Sequence, residues 1–303
     1  MTSFKTFATF VLAAATIVST LSAETHCPGN GSSLPFRLVN RHQMIVPVSI
    51  NHAGPFSFLL DTGTQMTMVD PALAVALHLE TTGKAEVASV GMQASASFAQ
   101  VSLVEAGSHS VANQKLLVYD LANLQATGLN IQGVLGEDFL ERFDLLIDNG
   151  HGLVCLDDTG AMRAEIKGTR VPLAQSGATD GSQLAGSLIV VARLSDGMRP
   201  VRLKLDSGSN VAFLYNTSDY MALGLYRGAS LHGGSGAAQK TFMALPPQDV
   251  RIGSVEMGNV SFVTLAGTQK NTNTEGFDGL LAMGLFKRVF IDHADHAAIL
   301  ERW

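Results

Sequence analysis

The sequence predicts a mainly β protein made of two homologous halves, and three observations carry that expectation. A turn, Phe58-Leu59-Leu60-Asp61-Thr62-Gly63-Thr64, returns about 145 residues later as Leu203-Lys204-Leu205-Asp206-Ser207-Gly208-Ser209. Each copy is followed in the same order by a short helical segment, a Gly-bearing hairpin, an apolar strand and a second apolar run ending in Asp. Short runs of apolar and β-branched residues bounded by Gly, Pro, Asn and Asp dominate the chain, and only two short stretches have helical composition.

The expected divisions are an export signal at 1–23, a loose lead-in at 24–34, a first lobe at 35–158, a join at 159–186 and a second lobe at 187–303. The signal is read from Lys5, the apolar run Phe7 to Val18 and small or polar residues up to a cleavage point near Ala23. An uncleaved anchor competes with it, although the run is short for a membrane span. Export would leave the mature chain in a periplasm or outside the cell, with no later segment apolar and long enough to cross a bilayer. The lead-in is rich in Gly, Ser and Pro.

In the first lobe, Met44 to Ile50 and Phe56 to Leu60 read as strands joined by a turn over 51–54, so Asp61 stands just past a hairpin. Asp70 followed by Pro71 predicts a capped helix as far as Leu79. Alternation from Glu86 to Val104 around Gly91 predicts a lightly packed hairpin, and Lys115 to Val118 a further strand. Ile131 to Gly136 and Leu145 to Asp148 are apolar strands, and Asn149-Gly150 turns the chain into Leu153 to Leu156. The second lobe answers with strands at Ser187 to Leu194 and Val201 to Leu205, and a helix at Ser218 to Leu225. After these come a Gly-rich tip at Leu231 to Gly236, strands between Val250 and Val263, and the runs Asp278 to Ala282 and Val289 to Asp292.

Of 303 residues, 46% are hydrophobic and 15% charged, enough for a sizeable core. A net charge of −6 without a Lys/Arg cluster argues against a nucleic-acid partner. Cys27 and Cys155 either pair, tying the N-terminus to the end of the first lobe, or stand as one exposed and one buried thiol.

If the halves pack about a twofold axis, Asp61 faces Asp206. Two carboxylates about 3 Å apart share a proton and divide the work of base and acid. Such a pair holds a water, takes its proton as it attacks a peptide carbonyl, and protonates the leaving nitrogen. Thr62 and Ser207 are placed to donate across the interface between the turns, Thr64 and Ser209 to the outer carboxylate oxygens, while Gly63 and Gly208 leave room for substrate and offer backbone N–H groups.

These residues, Asp61-Thr62-Gly63-Thr64 and Asp206-Ser207-Gly208-Ser209 with their downstream apolar strands, resemble aspartic peptidases of the pepsin/retropepsin type. The likeness is strongest to single-chain, exported, bacterial-style proteins with two retropepsin-like repeats, and it spans about residues 35 to 303. The resemblance implies the bilobal acid-protease fold: two β-barrel-like lobes, a cleft between them, and flap hairpins closing over an extended polypeptide substrate in a monomer without cofactor. By position the flap residues are Gly91 in one lobe and Gly233, Gly234 and Gly236 in the other. Two departures stand out: no Tyr lies in the first flap region, and Leu280-Leu281-Ala282 ends in Ala where the family has Gly, which crowds the space behind Asp206.

A catalytically silent or latent peptide-binding or regulatory protein on the same fold is the alternative function, although a binder does not need hydroxyl support in both turns. His293-Ala294-Asp295-His296 has metal-ligand residue types but aligns with the hairpin turn Asn149-Gly150-His151, so no metal is expected. A Ser/His/Asp mechanism lacks its Gly-x-Ser-x-Gly turn.

Overall fold

The computed structural model describes residues 26–29, 31–40, 42–89, 92–174, 188–195, 197, 199–215, 230–233, 240–265 and 276–303. The expected signal at 1–23, the helix at Ser218 to Leu225, Gly91, Gly234 and Gly236 lie outside them.

The described residues form three sheets, one in each lobe and one between the lobes. The first lobe holds eight strands in the order Arg37–Val39, Gln43–Ile50, Ala53–Leu60, Gly133–Leu135, Met68–Val69, His109–Val118, Met92–Ala106, Thr81–Ser89. It curls on itself, because Gln43–Ile50 also pairs with Met92–Ala106 at Val48↔Ala106. The second lobe holds nine: Ser230–Gly233, Lys240–Ala244, Phe262–Leu265, Ala212–Leu214, Gly279–Ala282, Val201–Asp206, Ile189–Leu194, Gln248–Ile252 and Val255–Val260.

Both lobes build the segment before Asp the same way. Ala53–Leu60 runs parallel to Gly133–Leu135, which is antiparallel to Met68–Val69, itself parallel to His109–Val118. Val201–Asp206 runs parallel to Gly279–Ala282, antiparallel in turn to Ala212–Leu214, which lies parallel to Phe262–Leu265. Strands buried on both faces need apolar side chains at every position, hence the continuous runs Phe58-Leu59-Leu60 and Leu280-Leu281-Ala282.

The third sheet joins the halves. Its order is Ser32–Ser33, Leu153–Asp157, Asp144–Asp148, Phe286–Asp292, Ala297–Arg302, Arg170–Pro172. At its centre Leu146 faces Phe290, flanked by Leu145↔Ile291 and Ile147↔Val289. All six side chains are buried, so parting the lobes would expose a continuous apolar seam.

Several expectations need adjustment. The lead-in is anchored: Cys27 and Cys155 form a disulfide with Cα atoms 5.8 Å apart, and Ser32 and Ser33 pair with Leu156 and Cys155. A Gly/Ser composition reports local freedom and carries no sign of a covalent tie 128 residues away. The described part of the join carries the helix Ala161–Glu165 and the strand Arg170–Pro172. Arg163 there bridges Asp144 at 2.9 Å and Asp292 at 3.0 Å, and Arg170 also pairs with Asp292. The first hairpin turns on Asn51 and His52 alone, both with positive φ, so its second strand already begins at Ala53. The helix at Pro71–Ala76 has its Asp70 cap, whose carboxylate accepts from Ala72 N at 2.9 Å. It ends before Leu79 because His78 takes φ 53°. No helix among the described residues is long and apolar enough to cross a membrane.

Candidate active site

Each Asp closes a central strand of its lobe. The N–H of Asp61 donates to Leu135 O at 3.0 Å, and Asp206 is paired in register with Ala282. Beyond them the turns meet head to head. Thr62 N donates to Ser207 Oγ and Ser207 N to Thr62 Oγ1, both at 3.0 Å; Thr62 Oγ1 then donates to Leu205 O at 3.0 Å and Ser207 Oγ to Leu60 O at 2.9 Å. Four buried hydrogen bonds thus tie each turn to the strand carrying the other's Asp. At about 1 kcal/mol each, with a larger loss whenever one partner is left alone, they hold the spacing of the carboxylates.

The two glycines offer their N–H groups to their own Asp, at 2.7 and 2.8 Å, and each also lies against the facing turn. A Cβ at Gly63 would stand 2.6 Å from Asp206 Oδ2, and one at Gly208 would stand 2.6 Å from Asp61 Oδ1. The other lobe's carboxylate occupies the space opposite each glycine, so any side chain there would push the pair apart. Ala282 is accommodated, fully buried, where the first lobe has Gly136; a Cβ at Gly136 would meet Thr67 N at 2.9 Å. The difference lies in how closely the neighbouring turn approaches.

The carboxylates are not equivalent. Asp61 receives Gly63 N on Oδ1 at 2.7 Å and Thr64 Oγ1 on Oδ2 at 2.8 Å. Asp206 receives Gly208 N at 2.8 Å and Ser209 N at 2.9 Å, both on Oδ1. Ser209 does not offer its hydroxyl to the carboxylate as expected; it donates to Val211 O at 2.7 Å. Asp206 is only 6% exposed, and burial, then the facing Asp61, pushes its carboxyl up to about 8. One shared proton therefore sits on Asp206, with Oδ2 as the oxygen that has no donor among the described residues.

Four further residues surround the pair that the sequence reading did not single out. Lys204, 3% exposed, donates from Nζ to Gly63 O at 2.9 Å, and Gln43, 7% exposed, donates from Nε2 to Gly208 O at 2.7 Å. Glu137 is buried behind the first turn with its N–H on Thr64 O at 2.9 Å; neither carboxyl oxygen has a hydrogen-bond partner among the described residues. Burial pushes its acid well above the usual range. Tyr215 lies beside Asp206 in an aromatic group, its ring 5.0 Å from Phe213 and 5.7 Å from Phe277, and burial followed by Asp206 raises its phenol. One signal was available: Lys204 interrupts a strand that is apolar at the matching Leu59.

Of the flap residues, Gly233 ends the strand Ser230–Gly233, paired with Lys240. The hairpin expected around Gly91 has arms Thr81–Ser89 and Met92–Ala106, in register up to Ser89↔Met92. His293 to His296 form the turn between Phe286–Asp292 and Ala297–Arg302, and among the described residues no three His, Cys, Asp or Glu side chains are grouped to hold a metal ion. The surface concavities beside Trp303 are lined by neither Asp61 nor Asp206.

Residues 46–139 match the family described as Aspartyl protease, a segment that contains Asp61 and Glu137. The crystal structure of a retropepsin-like aspartic protease from Rickettsia conorii aligns at 19% identity, covering 44% of this chain and 95% of that one, with a TM-score of 0.31. No curated protein matches the sequence. Through the family match, residues 46–139 are similar to aspartyl proteases.

Proposed function

We propose that this chain, similar to aspartyl proteases over residues 46–139, is an aspartic endopeptidase that cuts extended polypeptides with a water held between Asp61 and Asp206. The observation that carries the reading is the reciprocal Thr62/Ser207 bonding, which seats each carboxylate against the other turn's glycine. In the first step Asp61 takes a proton from the water as its oxygen bonds to the scissile carbonyl carbon. Asp206 gives its proton to the carbonyl oxygen, leaving a neutral tetrahedral intermediate. In the second step the nitrogen is protonated by Asp61, the C–N bond breaks, and a proton from the departing diol returns to Asp206. The aromatic group at Phe213, Tyr215 and Phe277 supplies an apolar wall beside Asp206, favouring apolar side chains next to the cut.

Two features support further parts of the reading. The matching strand pairings behind each Asp and the self-complementary register around Leu146 and Phe290 support two repeats of one unit. The Cys27–Cys155 disulfide supports an exported protein in an oxidising compartment, periplasmic or extracellular.

The test is cleavage of an unfolded generic protein by the purified chain from pH 3 to pH 9, beside Asp61→Asn and Asp206→Asn. Cleavage by wild type that disappears in both variants is the expected result. A folded wild type that cleaves at no pH, or that binds peptide equally well without either Asp, overturns the enzyme reading in favour of a binding protein.

A further inference from the structure

We infer that Lys204 is a positioning residue whose ammonium holds the Gly63 carbonyl and, from beneath that turn, places a fixed positive charge next to the Asp61/Asp206 pair. The inference rests on the endopeptidase reading for its role in turnover, but the charge effect itself does not depend on it.

The contrast with Gln43 carries the argument. The carbonyls of Gly63 and Gly208 occupy matching places in the two turns, and each accepts one hydrogen bond from the opposite lobe. On Gly208 a neutral amide does that work at 2.7 Å. On Gly63 it is done at 2.9 Å by an ammonium that is 3% exposed. Burying an ammonium costs several kcal/mol unless a negative charge answers it, and a lone hydrogen bond to a carbonyl does not. Lys204 forms no direct ion pair among the described residues, so the answering charge acts over a longer distance.

The ionisable groups around it decide which charge that is. Glu137 lies close enough to feel Lys204, with Glu141, Asp61 and Asp138 acting on it in turn, but burial is the largest effect and raises its carboxyl, which works against its serving as the answering charge. The Tyr215 phenol on the far side of Asp206 is held protonated by burial. Asp206 and Asp61 remain, sharing one proton and therefore one negative charge, and Lys204 acts on Asp206 against the combined effect of burial and Asp61. A fixed cation beneath the Gly63 turn, which itself lies against the Asp206 carboxylate, makes the proton on Asp206 easier to lose. It sets how far the alkaline side of the working range reaches without touching the water or the substrate.

Two measurements on the full mature chain test this: the pH dependence of kcat and KM, and direct titration of ¹³C-labelled Asp carboxyls assigned with Asp61→Asn and Asp206→Asn. Lys204→Gln keeps a donor for Gly63 O and removes the charge, as Gln43 does on the other side; Lys204→Arg keeps both. In Lys204→Gln the alkaline limb of kcat and the Asp206 carboxyl titration are expected to move up by about one pH unit. That raises kcat about tenfold on the alkaline limb, with KM changed less than about twofold. Lys204→Arg is expected to restore both. A Lys204→Gln titration superimposable on wild type overturns the inference and leaves Lys204 a strut equivalent to Gln43. If wild type cleaves nothing, the endopeptidase reading fails, and the carboxyl titration still decides the inference about Lys204.

Discussion

The two Asp turns share a backbone and differ in nearly everything packed around it. In the first, Asp61 is partly exposed, each carboxylate oxygen has a donor, and the turn backs onto Thr67, whose N and Oγ1 both donate to Asp138 Oδ1, at 2.8 and 2.7 Å. In the second, Asp206 is buried, both donors converge on one oxygen, and the place matching Asp138 is Gly284, with the His42 ring packed against it. Equal turns thus become an unequal pair, one suited to accept a proton and one to keep it. The lesson is that a paired site takes its geometry from the parts that match and its chemistry from the parts that do not.

The strongest way to break that comparison is to neutralise the carboxylates one at a time. Asp61→Asn and Asp206→Asn should each lower kcat/KM by at least about a thousandfold, but their effects on stability should diverge. Because the folded-state value of Asp206 is raised, its contribution to stability is present below about pH 4 and lost as pH rises towards 8. Asp206→Asn should therefore stabilise the fold at pH 7, seen as a higher Tm, and bring no gain at pH 3. In wild type the same group should end activity as pH passes about 8. Equal Tm shifts in the two variants would remove the distinction between the turns.

Next in size is the part the turns share. Ser207→Ala leaves Thr62 N and Leu60 O buried without their partner, and a loss of about 2–4 kcal/mol in urea unfolding is expected, with a fall in kcat. Thr62→Val should cost about as much by the same assay; a clearly smaller loss would show that the grip is one-sided. The double variant Cys27→Ser, Cys155→Ser should lose about 2–4 kcal/mol of stability and leave the pH profile in place, since the disulfide lies at the interlobe sheet. The smallest contrast is the most specific. Thr64→Ala should lower kcat about tenfold by removing the donor on Asp61 Oδ2, whereas Ser209→Ala, whose hydroxyl faces Val211 O, should change it less than about twofold.

Much of the scaffold around these contrasts was legible beforehand because it rests on local rules. The Asp70-Pro71 cap, the apolar strands on either side of each Asp and the Asn149-Gly150 turn depend on neighbours within a few residues. Helix and strand lengths drifted where one residue's backbone decided the matter, as at His78 and Asn51. The residues set about each carboxylate were less legible. Hydroxyl residues recur at Thr64 and Ser209, but one side chain points at its Asp and the other away, and nothing in the four-residue motif separates them.

By itself the sequence determined that two Asp-centred turns end two central strands, that a hydroxyl and a glycine follow each, and that the chain is mainly β; composition, turn chemistry and repetition suffice for that. Tertiary structure alone decided that Leu146 faces Phe290, that Cys27 reaches Cys155, that each glycine makes way for the opposite carboxylate, and that Lys204 and Gln43 hold matching carbonyls. The physical reason is range. Propensity and periodicity act over a few residues, whereas burial, charge and hydrogen bonding at this site join residues more than 100 positions apart, and their strength depends on which groups the fold places side by side.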